Sequence, residues 1–333
     1  MGGNPYLDDL AASLPSDRIE EVSATWNDLS ERDARSDVDV LHIQLLQMVL
    51  ESMRSADPPR AIARYARRLA RLRRNGVAVV WTMHNLASHE AASPLVDRAA
   101  RRLTAMAAAR VVVHCGVAQR HLRRLWPRAR SVVMPHPAHD AEPLARGTAR
   151  DALGLSAGAR VIAIPGRVRA YKDVAGAVRA LRAAAGDDTV IIVAGAPHTD
   201  ALGEEVRAAA GGDPRVRLDL RLVDDEELHR VVAASDVVML PYRRILTSGT
   251  AVLAGEEGVP CVAPAIGCLT EQLGEGGLTY PPGDLATAAR LALTTPLDEL
   301  RSRGADTRRR ITATTWARAG AVHASIYEAA AQH

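Results

Sequence analysis

Val161-Ile162-Ala163-Ile164-Pro165-Gly166-Arg167-Val168-Arg169-Ala170-Tyr171-Lys172-Asp173 opens on an apolar run, breaks at a glycine, crosses a cationic loop and enters a helical pattern. An apolar run without polar alternation marks a parallel strand covered on both faces. Gly166 permits a tight turn where the strand ends. Arg167 and Lys172 then stand where both can point at an anion above the strand end. The plainer alternative is a surface loop of solvated charges, since arginine is abundant here. Lysine is not: of 42 Lys and Arg residues only Lys172 is lysine. A background that turns lysine into arginine wherever arginine is tolerated keeps one where a compact ammonium serves and a planar fork does not.

The same strand–helix alternation extends in both directions. Apolar runs at Val38–Gln44, Val77–Met83, Arg110–His114 and Ser131–Met134 precede it. Thr189–Ala194, Val216–Arg221, Val237–Pro241 and Pro260–Ala263 follow. Helical spacing fills Pro59–Arg74, Ala92–Ala109, Lys172–Ala185, Asp224–Ala234, Ser248–Gly258 and Trp316–Ala331. This repetition predicts an α/β chain of two doubly wound, Rossmann-like domains. The expected division is 1–145, 146–312 and a closing helix in 313–333 that packs back toward the first domain. Two such open sheets are expected to face a central cleft at their strand C-terminal ends. Residues 1–15 hold a Gly-Gly-Asn-Pro turn and a helix where a first strand is expected, so that strand is either absent or upstream.

Two further clusters sit after predicted strands. Leu240-Pro241-Tyr242-Arg243-Arg244-Ile245-Leu246-Thr247-Ser248-Gly249-Thr250 leads into an apolar helix. A helix start offers unpaired N–H groups and a positive dipole end, and Thr247, Ser248, Gly249 and Thr250 allow close approach by a phosphate. A Ser N-cap alone explains it equally well. Thr82-Met83-His84-Asn85-Leu86-Ala87-Ser88-His89-Glu90 bunches polar groups behind a buried strand, with His84 the first candidate for chemistry. His42 and His114 read as structural.

Composition removes many alternatives. The chain has 333 residues, a net charge of +3, 47% hydrophobic and 24% charged residues, an ordinary soluble balance. No apolar run approaches the roughly 18 residues of a membrane span, and no signal peptide is recognisable. Three scattered cysteines show no metal spacing, which points to a reducing cytoplasm. Walker A, G-x-G-x-x-G, H-E-x-x-H and G-x-S-x-G motifs are absent. The arginine-rich helix at 59–74 is a solvated face or a peripheral membrane contact at the inner membrane surface. With only 3% aromatic residues, nucleic acid is not expected as a partner.

Taken together, these segments resemble the GT-B fold glycosyltransferases of the family 4 type, in a mannosyltransferase-like branch with an S-G phosphate turn. Val161–Asp188 is similar to that family's strand–Gly-Arg–loop–Lys–helix segment. Leu222–Tyr242, Gly258–Ala263, Gly267–Glu271 and Tyr280–Asp284 resemble the elements that follow it. The resemblance implies a donor nucleotide diphosphate sugar, a GDP-sugar before a UDP-sugar, held by the second domain. A carbohydrate, lipid-linked or small-molecule acceptor is implied for the first. It assigns the diphosphate to Gly166, Arg167, Lys172 and the turn Thr247–Thr250, and the nucleoside side to Leu222 and Val223. Side-chain cations and a helix dipole would stand in for a metal, and no other cofactor is implied. Thr82-x-His84-Asn85 resembles the segment whose histidine touches the donor sugar, and an inverting mechanism would draw its base from His84, His89 or Glu90. One departure is plain: the family's two glutamates eight residues apart fall on Ile245 and Leu253. Glu257, one turn beyond Leu253, is the expected substitute at the ribose. A nucleotide-sugar 2-epimerase and a non-catalytic nucleotide-binding partner subunit are the two rival readings.

Overall fold

A computed structural model describes residues 5–21, 38–47, 49, 57–87 and 93–332. The chain divides into two units, 1–135 with 315–333, and 136–314.

In the first unit the described strands are β1 (Val40–Ile43), β2 (Ala78–Met83), β3 (Arg110–Val113) and β4 (Ser131–Val133). They are parallel and lie in that order. Helices Pro58–Arg74, Pro94–Ala107 and Gly116–Leu125 connect them. A strand order that advances one way through right-handed crossovers puts all three helices on one face. The other face is covered by helices Pro5–Ser13 and Trp316–Ala331, where Tyr6, Leu10, Val80, Val112, Trp316 and Ala319 pack together. The predicted start at Ala92 moves to Pro94, because Ser93 caps the helix and proline is favoured in its first turn. Gly2, Gly3, His89 and Glu90 lie outside the described residues.

The second unit has six parallel strands: β5 (Arg160–Pro165), β6 (Thr189–Ala194), β7 (Val216–Asp219), β8 (Val237–Met239), β9 (Cys261–Pro264) and β10 (Leu278–Tyr280). Their order is β10-β9-β8-β5-β6-β7. The first strand of the unit therefore sits at the centre, with the chain running out to one edge and returning to fill the other. Alternate residues of β5 go to opposite faces, as the pleat requires. Ile162 and Ile164 join helices Val174–Ala184, Asp200–Ala210 and Leu285–Thr294, while Val161 and Ala163 join helices Asp225–Ala233 and Gly249–Glu256. Both faces are thus buried, which explains the unbroken apolar strands. With no phenylalanine in the chain, Leu, Ile, Val and Ala fill this core.

The boundary lies ten residues before the expected one. His136–Ala145 is bound to the second unit by its backbone: Ala138 N–H donates to Thr314 O at 3.0 Å, His139 N–H to Glu256 Oε1 at 2.6 Å and Leu144 N–H to Glu257 Oε2 at 2.8 Å. Arg308 adds a bond to Ala141 O at 2.7 Å. His136–Ala145 is thus a strap on the second unit.

Candidate functional site

In an open parallel sheet ligands bind outside the strand C-termini where the strand order reverses, because the two neighbouring loops diverge there and leave a crevice. In the second unit that point lies between β5 and β8. The loops leaving these strands are Gly166–Asp173 and Leu240–Ser248, the two segments singled out from sequence.

The β5 loop is held from both sides. Gly166 has φ +90°, in the region L side chains avoid. Its N–H donates to Ala194 O at 2.8 Å. Gly195, at the end of β6, packs against it so closely that a Cβ there would lie 2.6 Å from Gly166 C and O. Val168 N–H then donates to Ala196 O at 3.0 Å and His198 N–H to Val168 O at 2.9 Å. Arg167, between these anchors, is exposed and makes no ion pair among the described residues.

Lys172 is not in the helix, as its sequence position had suggested. It ends a single 3₁₀ turn, Ala170–Lys172, and Asp173 follows in the left-handed conformation (φ 45°, ψ 42°) before the helix starts at Val174. Aspartate tolerates that conformation better than most residues. Asp173 is fixed by Arg243 from the β8 loop, with Nε 3.0 Å and Nη2 2.9 Å from Asp173 Oδ2. Arg243 N–H also donates to Tyr171 O at 2.8 Å. The two loops of the crevice are therefore cross-linked through one arginine.

This backbone course returns Lys172 Nζ over the strand ends. Nζ would lie 3.2 Å, and Thr250 Oγ1 3.3 Å, from a Cβ placed on Gly166, so the three residues converge on one point. The ammonium also sits 5.5 Å from the centre of the Tyr242 ring. Burial, with repulsion from Arg169 added, holds its pKa below the usual lysine range. It has no carboxylate partner among the described residues. A half-buried cation left in that state suits an anionic ligand.

Helix Gly249–Glu256 points its N-terminus at the same loop region. Ser248 is its N-cap: Oγ accepts Ala251 N–H at 3.2 Å and lies 3.1 Å from Tyr242 Oη. Ser248 is 3% exposed. Its oxygen thus caps the helix, and in the pair with Tyr242 either hydroxyl can be the donor. Gly249 and Thr250 N–H groups have no partner among the described residues, as expected for the first turn of a helix. Gln272 clamps this turn, donating to Ser248 O at 3.0 Å with its Oε1 3.4 Å from Ser248 N. Gly267, φ +57°, lets its loop pass Ile245 O and Leu246 O, where a Cβ would come within 2.3 Å. Nothing in the sequence marked Gln272 for this role.

Two expected nucleoside contacts are placed otherwise. Glu257 lies at the far end of helix Gly249–Glu256 from Ser248. Its carboxylate holds His229 Nδ1 at 2.5 Å and Leu144 N–H, with 5% of the side chain exposed. It braces the strap and is not oriented to the crevice. Val223 turns into the core at 8% exposure, while Leu222, just beyond β7, is 72% exposed. Only the leucine side chain is open to a ligand. Ile245 and Leu253 pack partly buried against the same core, where glutamates had been sought.

In the first unit, the residues following β1, β2 and β3 form a polar chain. Gln44 Oε1 lies 3.1 Å from His84 Nε2, and His84 Nδ1 lies 3.2 Å from His114 Nε2. His114 Nδ1 lies 2.9 Å from Met134 O. A carbonyl only accepts, so His114 carries its proton on Nδ1 and, when neutral, accepts from His84 Nδ1–H through Nε2. Gln44 Oε1 is a carbonyl oxygen too, so it pairs with His84 only through an Nε2–H, and both nitrogens of His84 face acceptors. His42 lies below this chain, its Nε2 2.8 Å from Thr82 Oγ1 and its Nδ1 2.6 Å from Tyr327 Oη. Among the described residues no group of His, Cys, Asp or Glu is arranged to hold a metal ion.

Residues 159–295 match the family model of glycosyl transferases group 1. The chain is 27% identical over 334 residues to a GDP-mannose:glycolipid 4-beta-D-mannosyltransferase of Xanthomonas campestris pv. campestris, covering 97% of this chain and 88% of the relative. It is 30% identical over 267 residues to a D-inositol 3-phosphate glycosyltransferase of Saccharomonospora viridis, covering 69% and 60% respectively. Among solved structures it is similar to the sucrose-phosphate synthase of Thermosynechococcus elongatus (TM-score 0.74, 20% identity, 91% of this chain and 76% of that one). Anabaena HepE in complex with UDP is also similar (TM-score 0.70, 17% identity, 88% and 79%).

Proposed function

The chain is a family 4-like glycosyltransferase of the GT-B fold, and from this we propose that it moves a hexose, mannose, from GDP-mannose to a lipid-linked or small-molecule acceptor. The observation that carries the donor half is the convergence of Lys172 Nζ, Thr250 Oγ1 and Gly166 on one point at the β5/β8 crevice. The Xanthomonas relative supports the choice of mannose, GDP and a glycolipid acceptor.

In the proposed step the acceptor oxygen forms a bond to the sugar's anomeric carbon as the bond to the β-phosphate oxygen breaks. The leaving nucleoside diphosphate gains negative charge. Lys172, Arg167 and the N–H groups of Gly249 and Thr250 meet that charge more strongly as it develops than before, which lowers the barrier. These groups supply the positive charge for which a divalent metal is otherwise used, so the reaction is proposed to be metal-independent. Exposed Leu222 supplies an apolar contact for the nucleoside. For transfer with inversion the acceptor hydroxyl must lose a proton, and His84, held between Gln44 and His114, is the proposed recipient. The enzyme is proposed to work in the cytoplasm, at the membrane surface where a lipid-linked acceptor resides.

A thermal-shift series with GDP, UDP, ADP and dTDP tests the donor, since at equal concentration a ligand that binds the native state raises Tm more the tighter it binds. GDP is expected to raise it most, and product from GDP-mannose with a glycolipid acceptor is expected to survive chelation. No shift with any nucleotide would refute the site, and activity lost to chelator but restored by Mg²⁺ would refute the charge assignment. A sugar isomer from donor alone would establish the epimerase instead.

A further inference from the structure

Tyr242 lies beneath the anion site, and no step of the proposed transfer touches it. It follows β8 and is 3% exposed, too deeply buried to meet a substrate. Its backbone is held on either side. Leu240 N–H donates to Val262 O at 2.9 Å, and Leu240 O accepts from Tyr280 Oη at 3.1 Å. On the other side Arg243 N–H donates to Tyr171 O at 2.8 Å. A side chain rooted between such anchors keeps one direction, although it stands at the start of a loop.

Both parts of this side chain meet groups of the site. The face of the ring receives Lys172 Nζ, 5.5 Å from its centre. An ammonium is attracted to an aromatic face, and more strongly where water is excluded. At the far end Oη lies 3.1 Å from Ser248 Oγ and also hydrogen-bonds with the Thr250 side chain. Ser248 Oγ in turn accepts Ala251 N–H, so the phenol is bonded to the cap of helix Gly249–Glu256. Burial pushes the phenol pKa up, which keeps the hydroxyl protonated at neutral pH. A phenylalanine would supply only the ring face, and a serine or threonine only the hydroxyl.

From this we infer that Tyr242 is a positioning residue, which fixes the Lys172 ammonium and the helix start at one spacing so that both meet the same anion already in place. The inference rests on the donor site proposed above and adds the side chain that sets its geometry. Neither group is rigid by itself, because a lysine stem is flexible and the first turn of a helix frays. Ordering the lysine only when the ligand arrives would weaken binding about two- to tenfold. A tyrosine that merely filled the core would alter stability without this coupling to Lys172.

Titration calorimetry with GDP tests it, on the full chain with Tyr242, Tyr242→Phe or Tyr242→Leu, each with and without Lys172→Met. Tyr242→Phe keeps the ring and loses the bond to the helix start, so GDP should bind about three- to tenfold more weakly. Tyr242→Leu loses the ring as well, for at least about tenfold in all. The step from Phe to Leu should vanish in the Lys172→Met background, where no ammonium is left to hold, while the step from Tyr to Phe persists. Core damage alone would give the same steps in both backgrounds. Lysine isotopically labelled at Cε gives one side-chain signal, because the chain has one lysine. Its relaxation should show an ordered Cε in the ligand-free wild type and in Tyr242→Phe, and a mobile one in Tyr242→Leu. Circular dichroism identifies a variant that fails to fold, and Tyr242→Phe with the wild-type relaxation then decides. Wild-type affinity in Tyr242→Phe, equal steps in both backgrounds, or a Cε already mobile in the wild type would overturn the inference. With GDP bound by the wild type, those results leave the donor site standing. A wild type that binds no nucleoside diphosphate would overturn both.

Discussion

Replacing Lys172 by methionine should move stability and affinity in opposite directions. Lys172 is a half-buried ammonium with no carboxylate partner among the described residues, 5.5 Å from the Tyr242 ring centre, and burial lowers its pKa. Methionine retains the stem, and its sulfur against Tyr242 offsets a cation–π contribution of about 0.5–2 kcal/mol. What remains is the desolvation of an uncompensated charge, so Lys172→Met should stabilise the empty protein by about 1 kcal/mol, or about 2–4 °C for a unit of this size. A charge-assisted bond to phosphate contributes about 1.5–3 kcal/mol, which makes GDP bind about 10- to 150-fold more weakly. Scanning calorimetry of the ligand-free protein and titration calorimetry with GDP read the two effects separately. A lower melting temperature together with unchanged GDP affinity would show a packing residue and refute the assignment.

Gly166→Ala places a methyl 3.2 Å from Lys172 Nζ and 3.3 Å from Thr250 Oγ1 at φ +90°, so about 1–2 kcal/mol of stability and at least about tenfold in GDP affinity should be lost. Gly158→Ala, with open space around it, is the control, and equal GDP affinity in both would contradict the convergence at Gly166. His229 has its pKa raised first by the hydrogen bond to Glu257, so its contribution is full below its unfolded value of about 6.5 and is lost as pH rises through the higher folded value. The difference in unfolding free energy between wild type and His229→Gln, from urea titrations, should therefore be widest in mild acid and shrink in mild alkali; a difference constant with pH would mean that this pair contributes nothing linked to protonation.

The strands and the loop after β5 were legible because each rests on a strong local signal. Ile162 and Val161 go to opposite cores, so both must be apolar, and the run shows it. Lys172 was conspicuous against a chain of arginines. What escaped detection depends on partners distant in sequence. The turn that carries Lys172 is set by Arg243, seventy positions away, and by a left-handed aspartate that helix periodicity does not reveal. Ser248 was chosen for its hydroxyl, and sequence does not show that this oxygen also caps the helix through Ala251 and meets Tyr242. Glu257 was assigned by spacing along a helix, and spacing does not tell which end of that helix meets the crevice. Gln272 carried no signal because its value lies in reaching Ser248 from another loop.

A chain whose lone lysine lies beside Gly166 and Thr250 presents an unusual target to electrophiles. Its ε-amine, with an acidity raised by burial, holds more of the uncharged nucleophilic form at neutral pH than a solvated lysine does. Acylating or reductively alkylating reagents therefore meet one side-chain amine in the whole sequence, at the crevice itself, with the α-amino group as the competing site. Forty-one guanidinium groups elsewhere are inert to such reagents. Covalent tagging and donor-site occupancy become the same measurement.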